Sequence, residues 1–271
     1  MKQFIVDAFT PSIFKGNPAA VCLLEAPLED RLLQSIAIEN NLSETAFLLR
    51  RPDGRLSLRW FTPGGEIDLC GHATLGSAFV YMTEIEPQAS AVAFETRSGT
   101  LTVTRTGSRF SMDFPAYPVS AVPVTDEMEA AFGVRPAEAY LARDLLCVFE
   151  NAEAVEQMNP DQALLSKLPG LLQSATAPGR SGSGFDCVSR SFAPKLRVAE
   201  DPVCGSAHCH IVPYWSQRLH KTDLVCFQAS ARTGVMYCHF CEEAERVALA
   251  GEAVLFSRAE INLSPARAAS D

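Results

Sequence analysis

Two cysteine–glycine motifs of similar sequence stand about half the chain length apart. Residues 68–74 read DLCGHAT and residues 201–207 read DPVCGSA, and each motif precedes an apolar stretch with helical spacing. The first N–H groups of a helix lack internal partners and can bind a carboxylate, which glycine allows to approach closely. Two such helix starts facing one cleft could hold a substrate while a proton is removed and returned. The motif pair therefore points to a cofactor-free isomerase or epimerase.

The cysteines of these motifs are candidate catalytic residues. A thiol at a helix start, as predicted for Cys70 and Cys204, has its pKa lowered and its thiolate favoured. Either motif alone is more typical of a tight turn with a buried thiol, because free cysteine is among the most buried residue types. The recurrence of the motif in matching context favours the functional interpretation.

Four further polar residues have two interpretations each. Glu44 follows the first predicted helix, where it is either a solvated surface acid or a general acid/base in an apolar pocket. Asp201 precedes a proline and fits a turn slightly better than a catalytic group. His72 and His208 either take part in the chemistry or orient their loops by hydrogen bonds. Spacing alone leaves these alternatives open.

Composition limits the class of protein. The chain has 271 residues, of which 47% are hydrophobic and 20% charged, which is typical of a soluble globular protein long enough for two domains. A net charge of −9 argues against nucleic acid or an anionic membrane as partner, since both require a basic face. No secretory pattern and no apolar run of roughly 20 residues is seen. We therefore expect a cytoplasmic protein whose nine cysteines are reduced.

A metal site is not expected. Cys238 and Cys241 form a C-x-x-C pair, but no second pair of ligands follows at usable spacing. The surrounding segment also has a strand pattern, and residues three apart on a strand point to opposite faces.

The order of predicted elements indicates an internal duplication. Each half shows strands, a helix, a strand, a cysteine–glycine loop, a second helix and then antiparallel strands. We expect an N-terminal domain over residues 1–118 and a C-terminal domain over residues 119–271, with a last strand that could return to the N-terminal domain. The small and polar tail, residues 264–271, is predicted to be frayed.

Nine segments spread over nearly the whole chain carry a family resemblance: DAF at 7–9, GNPAAV at 16–21, NLSET at 41–45, DLCGHAT at 68–74, SR at 189–190, FAP at 192–194, EDPVCGSAHC at 200–209, PYW at 213–215 and QAS at 228–230. With them the chain resembles the PhzF family of phenazine-biosynthesis-like proteins, in the diaminopimelate epimerase fold superfamily. The resemblance implies an α+β fold of two pseudo-symmetric domains, each a curved antiparallel sheet wrapped around a central helix. It also implies an active site between the domains that needs no cofactor.

The resemblance further implies residue roles. In the family's isomerisation of trans-2,3-dihydro-3-hydroxyanthranilate, a glutamate that matches Glu44 moves a proton between ring carbons. The supporting histidine matches His72, and the supporting aspartate matches Asp201. The family's carboxylate-holding Gly-Ser matches Gly205 and Ser206. By the motif repeat, Gly71 and His72 are expected to bind substrate in the same way.

Two departures from the family pattern keep a second function open. Where most members have threonine before Gly-Ser-Ala, this chain has Cys204, which with Cys70 restores the pair that diaminopimelate epimerases use as base and acid. The usual Arg-Gly-Gly after Gln-Ala-Ser is here Arg232-Thr233-Gly234, which predicts an altered loop.

The sequence thus supports three hypotheses. The leading one is an isomerase of the PhzF type that acts on a small carboxylate-bearing metabolite, with Glu44 as the proton-transferring group. The second is a two-cysteine racemase or epimerase of an amino acid or related acid. The third is a non-catalytic metabolite-binding protein on the same scaffold. An exposed sheet edge or face could join two copies, so a homodimer is one expected assembly.

Overall fold

The computed structural model describes residues 1–263, in which 17 strands join into one network with six α-helices. The predicted frayed tail lies outside the described residues. The first half contains these elements: β1 (Lys2–Ala8), β2 (Asn17–Leu24), α1 (Asp30–Asn40), β3 (Glu44–Arg50), β4 (Leu56–Thr62), β5 (Gly65–Ile67), α2 (Gly71–Val80, extended by a π-helical turn Tyr81–Ile85), β6 (Ala91–Thr96), β7 (Gly99–Thr106) and β8 (Arg109–Pro115).

The second half repeats this order with two additional short helices. Its elements are β9 (Ser120–Val122), α3 (Asp126–Phe132), β10 (Glu138–Leu141), β11 (Leu145–Val148), α4 (Ala152–Gln157), α5 (Gln162–Leu165), β12 (Gln173–Pro178), β13 (Cys187–Ala193), β14 (Val198–Asp201), α6 (Gly205–Leu219), β15 (Asp223–Gln228), β16 (Gly234–Cys241) and β17 (Arg246–Glu260). A single 3₁₀ turn, Pro194–Leu196, precedes β14. Strands β5, β9, β12 and β14 and helix α4 were not predicted from the sequence pattern.

The two halves have the same strand pairing. In the first half, β2 pairs with β3 in parallel, β3 with β4 antiparallel, and β4 with β6 in parallel. In the second half, β11 with β12, β12 with β13, and β13 with β15 repeat those three pairings in the same directions. The remaining pairs within residues 1–263 are antiparallel. This repetition confirms the predicted α+β fold with pseudo-symmetric halves, and it adds four parallel pairs to the expected antiparallel sheets.

The first half closes its sheet with a strand that also pairs with the second half. In the first half, β1, β2, β3, β4, β6, β7, β8 and β17 pair in a closed circuit. Strand β17 belongs to both halves, because residues 246–250 pair with β16 and residues 253–260 pair with β1. The domain boundary expected at residues 118/119 remains a prediction. Closure satisfies the strand edges that an open sheet would leave unpaired.

One buried helix packs against the sheet of each half. Helix α2 packs against β1, β2, β3 and β8, and α6 packs against β15, β16 and β17. Residues 72–78 of α2 and 207–216 of α6 are all buried, as expected of a helix surrounded by sheet. The hydroxyls of Thr74 and Ser77 therefore donate to the carbonyls of Cys70 and Ala73 within the helix, which satisfies them without solvent. The helix starts are thus held rigidly by their own sheets.

A proline within α6 anchors the segment that connects the two halves. Pro213 has no N–H, so the carbonyl of Cys209, four residues earlier, has no partner in the helix. The backbone N–H of Tyr117 donates to that carbonyl at 2.9 Å. The ring of Tyr117 also packs on His210, with centroids 5.1 Å apart. The connector therefore binds the helix at the one carbonyl that the proline frees.

Among residues 1–263, no helix combines the length and the apolar composition that a membrane span requires.

Candidate active site

Both cysteine–glycine motifs begin a helix, as predicted. Cys70 and Cys204 are the N-cap residues of α2 and α6, with extended backbone, and the helices begin at Gly71 and Gly205. A Cβ added at Gly71 would come no closer than 3.8 Å to Phe114, and one at Gly205 no closer than 3.6 Å to Leu249. These are ordinary contacts, so packing does not require glycine at either position. Without a side chain, both positions leave the backbone N–H groups at the helix starts open to close approach.

The centre of the site is a carboxylate–imidazole pair. Glu44 is the first residue of β3, and its Oε2 lies 2.9 Å from Nε2 of His72 on the first turn of α2. The side chain of Glu44 is 16% exposed and that of His72 is 7% exposed, so the glutamate is the more exposed of the two. The two atoms are too poorly aligned for a hydrogen bond and form a charge contact instead. Glu44 is therefore a mostly buried residue in contact with His72, not a solvated surface acid.

Asn17 joins the two halves at this pair. The side chain is fully buried, and its Nδ2 lies 3.1 Å from Nδ1 of His72, 2.8 Å from Oδ1 of Asp201 and 3.1 Å from the carbonyl of Val203. The two oxygens can only accept, so the amide nitrogen faces them and donates. The sequence motif around residue 17 was recognised, but this role was not, since its partner Asp201 is 184 residues away. Asn17 is thus a further site residue.

Asp201 is held by several contacts around its carboxyl and backbone. Its Oδ1 accepts from Nδ2 of Asn17 and from the backbone N–H of Val203, while its carbonyl accepts from Nε2 of Gln228. Burial raises the pKa of Asp201, and the charge of Glu44 raises it further, against a lowering by His72. A buried carboxyl whose pKa is raised by burial and by a second carboxylate is typical of a functional site.

The expectation of low thiol pKa values is wrong. Burial raises the pKa of Cys70, and the charge of Glu44 adds to this. Burial raises the pKa of Cys204 as well, and the neighbouring carboxyl of Asp201 adds to that shift. A helix start lowers the pKa of a thiol, but here burial and an adjacent carboxylate raise it by more. Each thiolate would be a buried charge beside a carboxylate. Both cysteines are therefore neutral thiols near pH 7.

The pKa of His72 is set by competing effects. Burial would lower it, but the Cys70 sulfur and the Glu44 carboxylate outweigh burial and raise it well above the usual value. The Sγ of Cys70 lies 3.6 Å from Nδ1, the nitrogen that Asn17 also approaches. Nε2 faces Glu44. The His72 ring therefore contacts the Cys70 thiol and the Asn17 amide through Nδ1, and the Glu44 carboxylate through Nε2.

The predicted carboxylate-binding residues border the same region, and one candidate does not belong to it. Gly71, Gly205 and Ser206 are partly exposed, and the hydroxyl of Ser206 lies 3.4 Å from Sγ of Cys204. His208 is fully buried and pairs through Nδ1 with the carbonyl of Cys204 at 2.7 Å. In α2 the hydroxyl of Thr74 makes the equivalent contact with the carbonyl of Cys70. His208 therefore orients its loop by a hydrogen bond, which is one of the two interpretations that the sequence allowed.

Three possible metal ligands meet at the site. Glu44, Cys70 and His72 offer ligand atoms within 4.8 Å of one another. Cys70 approaches Nδ1 of the ring and Glu44 approaches Nε2, so the two groups contact opposite nitrogens. Cys238 is buried on β16 and Cys241 is less so, as predicted for residues three apart on a strand.

The altered loop that the sequence indicated is strained at Thr233. Thr233 has φ of +56°, the left-handed region in which a β-branched residue is unfavourable. We expect Thr233→Gly to increase the free energy of unfolding by about 0.5–1 kcal/mol, because relief of strain exceeds the extra entropy of glycine in the unfolded chain. Chemical denaturation measures this change. A loss of stability would show that the threonine side chain contributes more than its backbone conformation costs.

Comparison with known proteins identifies the family. The model of the PhzC-PhzF family, described as phenazine biosynthesis-like protein, matches residues 6–259. The chain belongs to this family. A relative named an uncharacterized isomerase, from Pseudomonas aeruginosa, is 45% identical over 260 residues, which cover 96% of this chain and 98% of the relative. The PhzF-family membership and such relatives support an isomerase- or epimerase-type activity.

Solved structures agree with the fold. A crystal structure of a PhzF-family protein from Enterococcus faecalis has a TM-score of 0.92 and 46% identity, and the alignment covers 97% of this chain and 99% of the other. A probable proline racemase from Agrobacterium radiobacter has a TM-score of 0.65 with 11% identity, over 97% and 93% of the two chains. The second likeness concerns the fold alone.

Proposed function

We propose that this protein is a cofactor-independent isomerase that moves a proton within a small carboxylate-bearing metabolite, with Glu44 as the acid/base. The observation that carries the proposal is the contact of Glu44 with His72, at 2.9 Å, beside the point where Asn17 and Asp201 from opposite halves also meet. A carboxylate that is fixed by one neighbour and still partly exposed can reach a substrate C–H bond.

The proposed reaction has two proton transfers through one group. The Glu44 carboxylate accepts a proton from a carbon conjugated with the substrate carboxylate, and the C–H electron pair delocalises towards that carboxylate. The N–H groups at the starts of α2 and α6, at Gly71, Gly205 and Ser206, stabilise the resulting negative charge. The Glu44 carboxyl, which is partly exposed and can exchange its proton with water, then donates a proton to another carbon of the conjugated system. No proton or electron is gained or lost overall.

The supporting residues control where protons reside. The amide nitrogen of Asn17 lies against Nδ1 of His72, while Nε2 faces Glu44. The pKa of Asp201 is raised by burial and by the charge of Glu44, so this carboxyl holds its proton more tightly than an exposed aspartate does.

The two-cysteine racemase finds less support in the geometry. Such a reaction needs one thiolate at neutral pH, but the pKa of both Cys70 and Cys204 is raised by burial and by adjacent carboxylates. Each sulfur also has a polar neighbour within the protein, His72 for Cys70 and Ser206 for Cys204.

Deuterium incorporation from heavy water into a pool of candidate carboxylic acids tests the proposal. We expect the wild-type protein to label one acid at the carbon that receives the proton, and Cys70→Ser and Cys204→Ser to retain that activity within about tenfold, since serine keeps a neutral polar group. Loss of several orders of magnitude with Cys204→Ser, together with labelling at an amino acid α-carbon, would establish the racemase instead. Binding of an acid without any labelling would favour the non-catalytic protein.

A further inference from the structure

Arg232 forms a clamp between the two halves, close to the candidate active site but outside it. The residue lies in the loop between β15 and β16, and its side chain is 32% exposed. Its guanidinium donates to Oδ1 of Asp7 at 2.7 Å, to the carbonyl of Lys15 at 2.9 Å and to the carbonyl of Gly16 at 2.9 Å. Asp7 on β1 is 3% exposed, so one end of the clamp is buried. All three acceptors belong to the other half.

The clamp fixes the peptide that precedes Asn17. The backbone N–H of Gly16 donates to the carbonyl of Thr233 at 2.7 Å, and the Gly16 carbonyl accepts from Nε of Arg232. Gly16 has φ of +64°, and a Cβ there would lie 2.1 Å from the carbonyl oxygen of Ala8, so only glycine fits this turn. Both polar groups of Gly16 are therefore bound by neighbouring residues of the Arg232 loop, and Asn17 begins β2 directly afterwards.

Backbone strain is concentrated at the same junction. Phe9, Phe14 and Thr233 have positive φ values of 63°, 69° and 56°. The carbonyl of Phe9 accepts from the N–H of Val235, and the N–H of Phe14 donates to Oδ2 of Asp7, so the strained residues are themselves held by the clamp. Unfavourable conformations of this kind persist where the surrounding structure over-determines them, and they are enriched at functional sites.

We propose that Arg232 is a positioning residue, which locks the Gly16–Asn17 peptide against the other half and thereby aims the Asn17 amide at His72 and Asp201. The inference rests on the proposed function, since it assigns Arg232 a part in setting up the Glu44–His72 pair. Arg232 makes no contact with that pair itself and acts only through Asn17.

The clamp has a defined effect on the protonation of His72. The Asn17 amide nitrogen lies 3.1 Å from Nδ1, and the positive charge of its N–H side opposes a proton on that ring nitrogen. The other charged or titratable groups that face the ring are Glu44 at Nε2 and Cys70 at Nδ1, with Asp201 beyond the amide. Loss of the Asn17 contact is therefore expected to raise the pKa of His72, while Glu44, Cys70 and Asp201 stay in place.

Nitrogen NMR of the His72 ring tests the proposal without any substrate. The full-length protein with labelled histidine is titrated as wild type, Arg232→Lys and Arg59→Lys, with the His72 signal assigned by its loss in His72→Asn. Lysine at position 232 can pair with Asp7, but a single ammonium cannot also hold both carbonyls. We expect Arg232→Lys to move the midpoint of the His72 titration upward by about 0.5–1 pH unit, the size expected for one hydrogen bond.

Arg59→Lys is the matched control. Arg59 is 29% exposed and likewise binds a mostly buried carboxylate, that of Glu66, but its described contacts lie outside the site. We expect the His72 titration in Arg59→Lys to match that of the wild type.

A second variant keeps the test valid if Arg232→Lys is unstable. The double variant Asp7→Asn with Arg232→Met lacks the clamp and leaves no unpaired buried charge, so it is expected to fold. An unchanged His72 midpoint in a folded Arg232 variant would overturn the proposal, whereas absence of deuterium labelling by wild type would count against the proposed function alone.

Discussion

Glu44→Gln is expected to slow deuterium labelling of the substrate by about 10²–10⁴-fold, the usual contribution of a positioned acid/base. Glutamine has the shape of glutamate and can still contact Nε2 of His72 through its oxygen, but it cannot accept a proton from carbon. The loss should therefore fall on the chemical step. We expect kcat to decrease much more than KM increases, since the carboxylate of the substrate is bound by the helix starts and not by Glu44.

A control separates this effect from a general loss of charge. Glu138 is also a half-buried glutamate, bound to Arg218, Tyr140 and Tyr214 near the far end of α6. Glu138→Gln is expected to leave the labelling rate unchanged. Retention of labelling by a folded Glu44→Gln protein would refute Glu44 as the proton carrier, and the search for the base would then return to the two cysteines.

The local parts of the site were predictable from the sequence. A cysteine–glycine pair before an apolar helical pattern predicts a helix start, and Cys70 and Cys204 are indeed the N-cap residues of α2 and α6. The order of elements also predicted the duplication, because strand and helix periodicities are local signals. Glu44 was left undecided by spacing, and it was the family resemblance that raised it to a candidate catalytic residue.

The parts that the sequence did not predict depend on tertiary contacts. The direction of the thiol pKa shifts follows from burial next to Glu44 and Asp201, which no local pattern reports. Asn17 contacts His72 and Asp201, which are 55 and 184 residues away. Strand β12, with the sequence QSATAP, has small and polar residues of low strand preference and exists because β11 and β13 pair on both sides of it.

Asp201→Asn is expected to make the protein more stable at neutral pH and at least tenfold less active. The pKa of Asp201 is raised above its ordinary value of 3.8, mainly by burial. The folded protein therefore holds this proton more tightly than the unfolded chain, and stability falls as the pH rises from about 3.8 through the raised pKa. Asparagine removes that penalty and still accepts from Asn17, but it cannot titrate with the Glu44–His72 pair.

Asp144 gives a control of opposite sign. This aspartate is also buried, but His210 and Arg143 outweigh burial and lower its pKa, so its contribution to stability is present above the ordinary value and is lost as the pH falls through the lowered one. We expect Asp144→Asn to destabilise the protein at neutral pH, and Asp201→Asn to flatten the decline of stability with rising pH. Denaturation measured between pH 4 and 8 distinguishes the two variants. If Asp201→Asn were instead less stable than wild type at pH 7, the Asp201 carboxylate would be favourably paired in the folded wild-type protein, which would contradict the raised pKa.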